Sequence, residues 1–139
     1  MLVGNAVHNL DTKGRIVIPA KYREDFGASV FALKGVGGCI RLYPYEEFLK
    51  MSAKVRSGDV TQLALRRKFF GSVENIALDA QGRILLSDDL KKSAGITDRV
   101  RMVGMFEWLE LWSEDSFEQK NEELTDEEEI RLMAELGLA

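Results

Sequence analysis

A ten-residue stretch of this 139-residue chain occurs twice, 68 residues apart. Leu10-Asp11-Thr12-Lys13-Gly14-Arg15-Ile16-Val17-Ile18-Pro19 returns as Leu78-Asp79-Ala80-Gln81-Gly82-Arg83-Ile84-Leu85-Leu86-Ser87. Leu, Asp, Gly and Arg keep identical spacing, and an aliphatic triplet follows both times. Gly27 matches Gly95 at the same offset; with one residue inserted, Gly35 matches Gly104 and Phe48 matches Phe117. A duplication of this size means two copies of one supersecondary unit, each presenting an Asp-x-x-Gly-Arg turn. Each copy alone, at about 65 to 70 residues, would bury only around 60% of its unfolded surface, so the halves are expected to share one core. A repeated charged turn suits a repeated or two-fold partner better than a single active site.

Charge is segregated along the chain. From residue 113 onward there are ten acids against Lys120 and Arg131, whereas residues 1–112 carry 17 basic and 13 acidic side chains. The overall charge of −4 therefore hides a mildly basic body and a strongly acidic tail. Hydrophobic content of 45% argues for a folded globule. The single cysteine, Cys39, rules out an intramolecular disulfide and fits a reducing compartment. With no run of 18 apolar residues and no signal-peptide pattern, the chain reads as cytosolic, with no membrane partner.

Residues 7–10 and 15–18 flank a short polar loop and read as a β-hairpin. Asp11 is placed to accept backbone N–H groups as in an Asx turn, Gly14 to take the positive φ that closes the reversal, and Arg15 to stand close across from Asp11. Asp79, Gly82 and Arg83 read the same way. Each copy then starts a short helix. Pro19 opens the first, Tyr22 and Phe26 form its i, i+4 apolar pair, and Gly27 ends it. Ser87 caps the second, with Asp88 and Asp89 in the first turn and Gly95 at the end. Two strand pairs follow, 30–34 with 39–43 and 100–103 with 108–112; the alternation Trp108-Leu109-Glu110-Leu111-Trp112 predicts a half-buried strand. Each copy closes with a helix, near Pro44 and near Ser113. Residues 59–70 read as a connecting helix, and Thr125-x-x-Glu128 is a capping box ahead of an amphipathic helix. The fold class is mainly β with short helices (α+β).

Arg is planar, permanently charged and forked, which suits phosphate oxygens or the O6/N7 edge of guanine. An Asp across the turn holds the guanidinium in a preset shape and limits the entropy lost on binding. Lys13 adds a cation in copy one, where copy two has Gln81. The competing reading is two surface salt bridges worth about 0–1 kcal/mol each.

These residues, with the lead-in Gly4-Asn5-Ala6 before Leu10-Asp11 and the stretch Leu65-Arg66-Arg67-Lys68-Phe69-Phe70, resemble the MraZ family of bacterial transcriptional regulators. The resemblance spans nearly the whole chain. It implies a pseudo-two-fold swapped-hairpin (double-psi-like, AbrB-type) β-barrel from two tandem repeats, plus a C-terminal helix. It implies a first repeat over 1–58, a connecting basic helix over 59–70, a second repeat over 71–117 and an acidic C-terminal helix over 118–139. It also implies assembly into homo-oligomeric rings and binding of double-stranded DNA at short repeated elements before the division and cell-wall gene cluster, in the nucleoid. In the family the D-x-x-x-R turns face DNA, which carries over to Asp11, Arg15, Asp79 and Arg83, with Lys13 beside them. Three cations at the tips give a salt slope of only about −3 per chain. Useful affinity then needs several subunits on adjacent sites, where linkage gains about 10²–10⁴-fold.

Arg66, Arg67 and Lys68 are secondary candidates, either extending the DNA surface or acting structurally at a helix C-terminus or against a neighbour's acids. Phe69 and Phe70 read as core or interface residues. His8 is the sole histidine, and neither it nor Cys39 has a partner at metal-ligand spacing. A Cys39–His8 catalytic pair ranks far below a buried thiol. Gly35-Val36-Gly37-Gly38 is a hairpin turn rather than a phosphate loop, and Trp108 and Trp112 are packing residues. The acidic tail is either a solvated helix face, a segment docked on a neighbouring subunit, or a competitor for the DNA surface.

Three functions follow in order: a sequence-specific DNA-binding regulator without catalysis, a ring-forming protein-interaction scaffold with structural turns, and last an enzyme, since no nucleophile–base pair, metal cluster, cofactor motif or small-molecule site is visible.

Overall fold

Each half of the chain runs strand, strand, helix, strand, strand and then two helices, so the duplicated sequence is a duplicated structure. The computed structural model describes residues 1–138. The first half contains β1 (Asn5–Asn9), β2 (Arg15–Val17), α1 (Ala20–Phe26), β3 (Ser29–Lys34), β4 (Ile40–Tyr43), α2 (Tyr45–Arg56), a 3-10 turn (Val60–Gln62) and α3 (Leu63–Ser72). The second contains β5 (Glu74–Ala77), β6 (Arg83–Leu85), α4 (Asp88–Ala94), β7 (Arg99–Gly104), β8 (Leu109–Trp112), α5 (Glu114–Glu122) and α6 (Asp126–Glu135). The architecture is mixed α+β, with six α-helices among the described residues.

Strands of one half find partners in the other. An open antiparallel sheet runs β1-β7-β8-β4-β3-β5, and β2 pairs with β6 in a separate ribbon. The local hairpin expected of residues 7–18 is therefore corrected: the turn is tight, but the strands leaving it part company. β1 joins β7, placing Ala6 opposite Met102, and β2 joins β6, placing Ile16 opposite Ile84. The swap buries both isoleucines completely, worth about 1.5–3 kcal/mol each relative to exposure.

The core draws on both halves. Tyr22 and Phe26 of α1 belong to the same buried cluster as Leu90 and Ala94 of α4, with Val30 and Leu42 from one half and Val100 and Leu109 from the other. Caps follow the local chemistry. Ser87 accepts from the Leu90 N–H at 3.2 Å, Gly95 takes the left-handed conformation, and Thr125 accepts from the Glu128 N–H at 3.1 Å.

Strand β8 departs from the half-buried expectation, because all four of its residues are buried. It lies between β7 and β4, and its polar-facing Glu110 is only 7% exposed. Both neighbouring indoles donate to that carboxylate, Trp108 Nε1 at 3.2 Å and Trp112 Nε1 at 3.0 Å. Arg41 Nε stands 3.4 Å from it, at ion-pair distance but out of hydrogen-bond alignment. The carboxylate satisfies the tryptophans it separates, so the alternation marks a bracketed face rather than a solvated one.

Candidate nucleic-acid interface

The two turns are near copies in space. Asp11 Oδ1 accepts the backbone N–H groups of Lys13 and Arg15, each at 2.9 Å, and Asp11 Oδ2 accepts Arg15 Nε at 2.7 Å. Asp79 Oδ1 accepts from Gln81 and Arg83, each at 2.9 Å, and Asp79 Oδ2 accepts Arg83 Nε at 2.7 Å. Gly14 and Gly82 close the reversals at φ 81° and 76°. The backbone N–H of Arg15, then its side chain, holds the Asp11 carboxyl below the usual carboxylate range; Arg83 does the same for Asp79.

Only Nε of each guanidinium is used by its aspartate. The terminal amino groups of Arg15 have no acceptor among the described residues, while Arg83 Nη2 donates to Gln81 Oε1 at 3.3 Å. The Lys-to-Gln difference between copies therefore removes a charge and also partly occupies the second arginine.

The ribbon register fixes how the arginines relate. Arg15 lies opposite Leu85, Ile16 opposite Ile84 and Val17 opposite Arg83. Alternation along a strand sends the buried isoleucines inward and Arg15, Val17, Arg83 and Leu85 to the outer face. Val17 is 43% and Leu85 55% exposed. The two turns sit at opposite ends of a ribbon about 7 Å long, and both guanidiniums leave the same face.

Two further cations reach the turns, and sequence reading missed them. Lys91 of α4 stands against Gly14, its Nζ 2.9 Å from where a Cβ would be, and the Arg23 guanidinium of α1 lies against Gly82. Arg23 Nε also donates to the Ile18 carbonyl at 2.9 Å. Each turn is thus backed by a basic residue from the opposite half. The signal was present: Arg23 and Lys91 are themselves 68 residues apart, the repeat offset.

The secondary candidates lie elsewhere. Arg66, Arg67 and Lys68 occupy the middle of α3 and are exposed, so they are not in the last turn where they would complement the helix dipole. α3 packs on α2 through Phe69, stacked 6.2 Å from Phe48. Phe70 is exposed and Phe69 half-buried, which places neither in the shared core. His8 sits on edge strand β1 and Cys39 just before β4, with β7 and β8 between those strands. Burial pushes the Cys39 thiol up to about 11, unsuited to a nucleophile at neutral pH. Among the described residues no group of three potential metal ligands forms, and no helix is long and apolar enough to cross a membrane.

Comparison with known proteins agrees with the twofold pattern. The family model described as MraZ protein matches residues 1–68 and again 69–136. The chain belongs to the MraZ family. A relative from Clostridium tetani, named transcriptional regulator MraZ, is 35% identical over 142 residues, covering 99% of this chain and all of the relative. The MraZ of Syntrophomonas wolfei is 38% identical over 143 residues with the same coverage, and that of Lactobacillus delbrueckii subsp. bulgaricus 37% over 129 residues, covering 91% and 90%. Both carry the same name.

Proposed function

We propose that the chain is a sequence-specific DNA-binding transcriptional regulator without catalytic activity. The observation that carries this reading is the shared outer face of the β2–β6 ribbon, with Arg15 and Arg83 at diagonal corners and each guanidinium preset by its own aspartate. A two-stranded ribbon fits the major groove, about 12 Å wide, as other β-ribbon readers do. The forked amino groups then meet phosphates or guanine edges, Val17 and Leu85 offer apolar contact to thymine methyls, and Lys13, Lys91 and Arg23 add charge at the rims. Family membership and the relatives' names support regulation of transcription. The interleaved strands support the swapped-hairpin barrel that the resemblance implies. On this reading the protein works in the cytoplasm at the nucleoid, as an oligomeric ring on repeated elements before the division and cell-wall gene cluster, because one ribbon neutralises too few phosphates to hold DNA alone.

The test is a mobility-shift titration on that repeated upstream DNA. The Arg15→Ala, Arg83→Ala double variant is expected to lose specific binding while keeping its fold. Wild-type affinity in the double variant overturns the assignment.

A further inference from the structure

Helices α3 and α6 follow α2 and α5 at equivalent places in the duplicated chain, yet they carry opposite charge. α3 holds Arg66, Arg67 and Lys68 with no acid, whereas α6 holds Asp126, Glu127, Glu128, Glu129 and Glu135 with one arginine. Every residue of α6 is exposed, as is every residue of α3 except Phe69 and Ser72.

Neither helix is merely a solvated polar rod. On α6, Ile130 is 66% exposed and shares a side with exposed Met133, while exposed Leu132 lies farther round the helix. At about 100° per residue, Glu127 borders the Ile130–Met133 line on one side and Glu129 on the other. On α3, exposed Leu63 and Phe70 lie seven residues apart on one line, with Arg66 and Arg67 on either side of it. One surface is an apolar line between two carboxylates; the other is an apolar line between two guanidiniums.

The two are not packed on one another within a chain. α2, which carries α3, packs on β3, and α5, which leads to α6, packs on β7. Those strands are separated in the sheet by β8 and β4, three inter-strand spacings or about 14 Å.

We propose that α6 of one copy seats on α3 of a second copy, with Ile130 and Met133 against Leu63 and Phe70 and with Glu127 and Glu129 facing Arg66 and Arg67. The contact is heterologous, each chain offering one acidic helix and one basic socket, so copies join head to tail. This deepens the oligomer reading above and rests on it. It also assigns Arg66 and Arg67 to the subunit contact rather than to DNA.

Sedimentation velocity on the full chain tests it with two double variants, Arg66→Glu with Arg67→Glu and Glu127→Lys with Glu129→Lys. All four positions are exposed and lie outside the core, so each variant keeps its fold. The wild type is expected to sediment as an assembly. Each double variant is expected to shift to smaller species, with at least a tenfold weaker association constant, and an equimolar mixture to regain the wild-type size because every reversed surface finds its complement. Wild-type size in either variant alone, or a mixture that stays dissociated, overturns the pairing and leaves the oligomer reading standing. A wild type that remains a single chain at all concentrations overturns both.

Discussion

Arg15 and Arg83 stand on the same face of the β2–β6 ribbon, one across from Leu85 and the other across from Val17. Their Cα atoms are diagonal neighbours, about 8 Å apart from strand geometry. That spacing spans two to three base-pair steps of about 3.4 Å, the separation at which the two forks would meet a duplex on the proposed reading.

The forks are not equivalent. Gln81 accepts from Arg83 Nη2, whereas among the described residues the terminal amino groups of Arg15 have no such partner and Lys13 takes the position equivalent to Gln81. Arg15→Ala is expected to cost about 2–3 kcal/mol of DNA affinity, some 30- to 150-fold, and Arg83→Ala about 1–2 kcal/mol. Gln81→Lys should tighten binding and steepen the salt dependence. Titrations at three salt concentrations check the order; equal losses from the two arginines contradict it.

Acid should dissolve the turns before the core. Asp11 and Asp79 titrate below their unfolded value near 3.9, so their contribution is complete above that value and is lost as pH falls through the lowered folded value. Amide chemical shifts of Lys13, Arg15, Gln81 and Arg83 are expected to move together below about pH 4. In Asp11→Asn the Lys13 and Arg15 shifts should stay flat through that range, while the Asp79 turn continues to titrate.

The two turn glycines should differ in sensitivity. Alanine at either position is strained by the positive φ, at about 1–2 kcal/mol. At Gly82 the new methyl also collides with the Arg23 guanidinium and disturbs its bond to the Ile18 carbonyl, whereas at Gly14 it meets the far end of the flexible Lys91 side chain. Gly82→Ala is therefore expected to destabilise by about 1 kcal/mol more than Gly14→Ala. Urea denaturation gives the comparison directly.

Glu110→Ala strands two indole N–H groups and leaves Arg41 over the Trp108 ring without its carboxylate. The expected loss is about 2–4 kcal/mol. Glu110→Gln keeps one acceptor oxygen and should recover roughly half. A melting midpoint unchanged by Glu110→Ala would show that the bracket contributes nothing.

What could be read from the residues is what they decide locally. The Asx turns at Asp11 and Asp79, the caps at Ser87 and Thr125 and the breaks at Gly27 and Gly95 depend on side chains within four positions, and all appear where local chemistry puts them. The strand exchange depends on pairings 66 to 98 residues apart, such as Val17 with Arg83 and Asn5 with Val103. No local period carries that information, so the hairpin expectation failed there. The same distance hid Arg23 and Lys91, each of which serves the turn of the other half. β8 misled for a different reason: Glu110 is polar by type but buried by pairing, and alternation alone cannot tell those apart.

Joining the two copies in one polypeptide has a consequence for symmetry. Were the same fold assembled from two separate identical chains, both of its poles would be alike, and any mark placed on one would appear on the other. Fusion frees the poles to diverge: here one bears a cationic helix and its counterpart an anionic one. The molecule acquires a direction, and under the head-to-tail pairing proposed above a file of such units would face a tandem message always in the same sense.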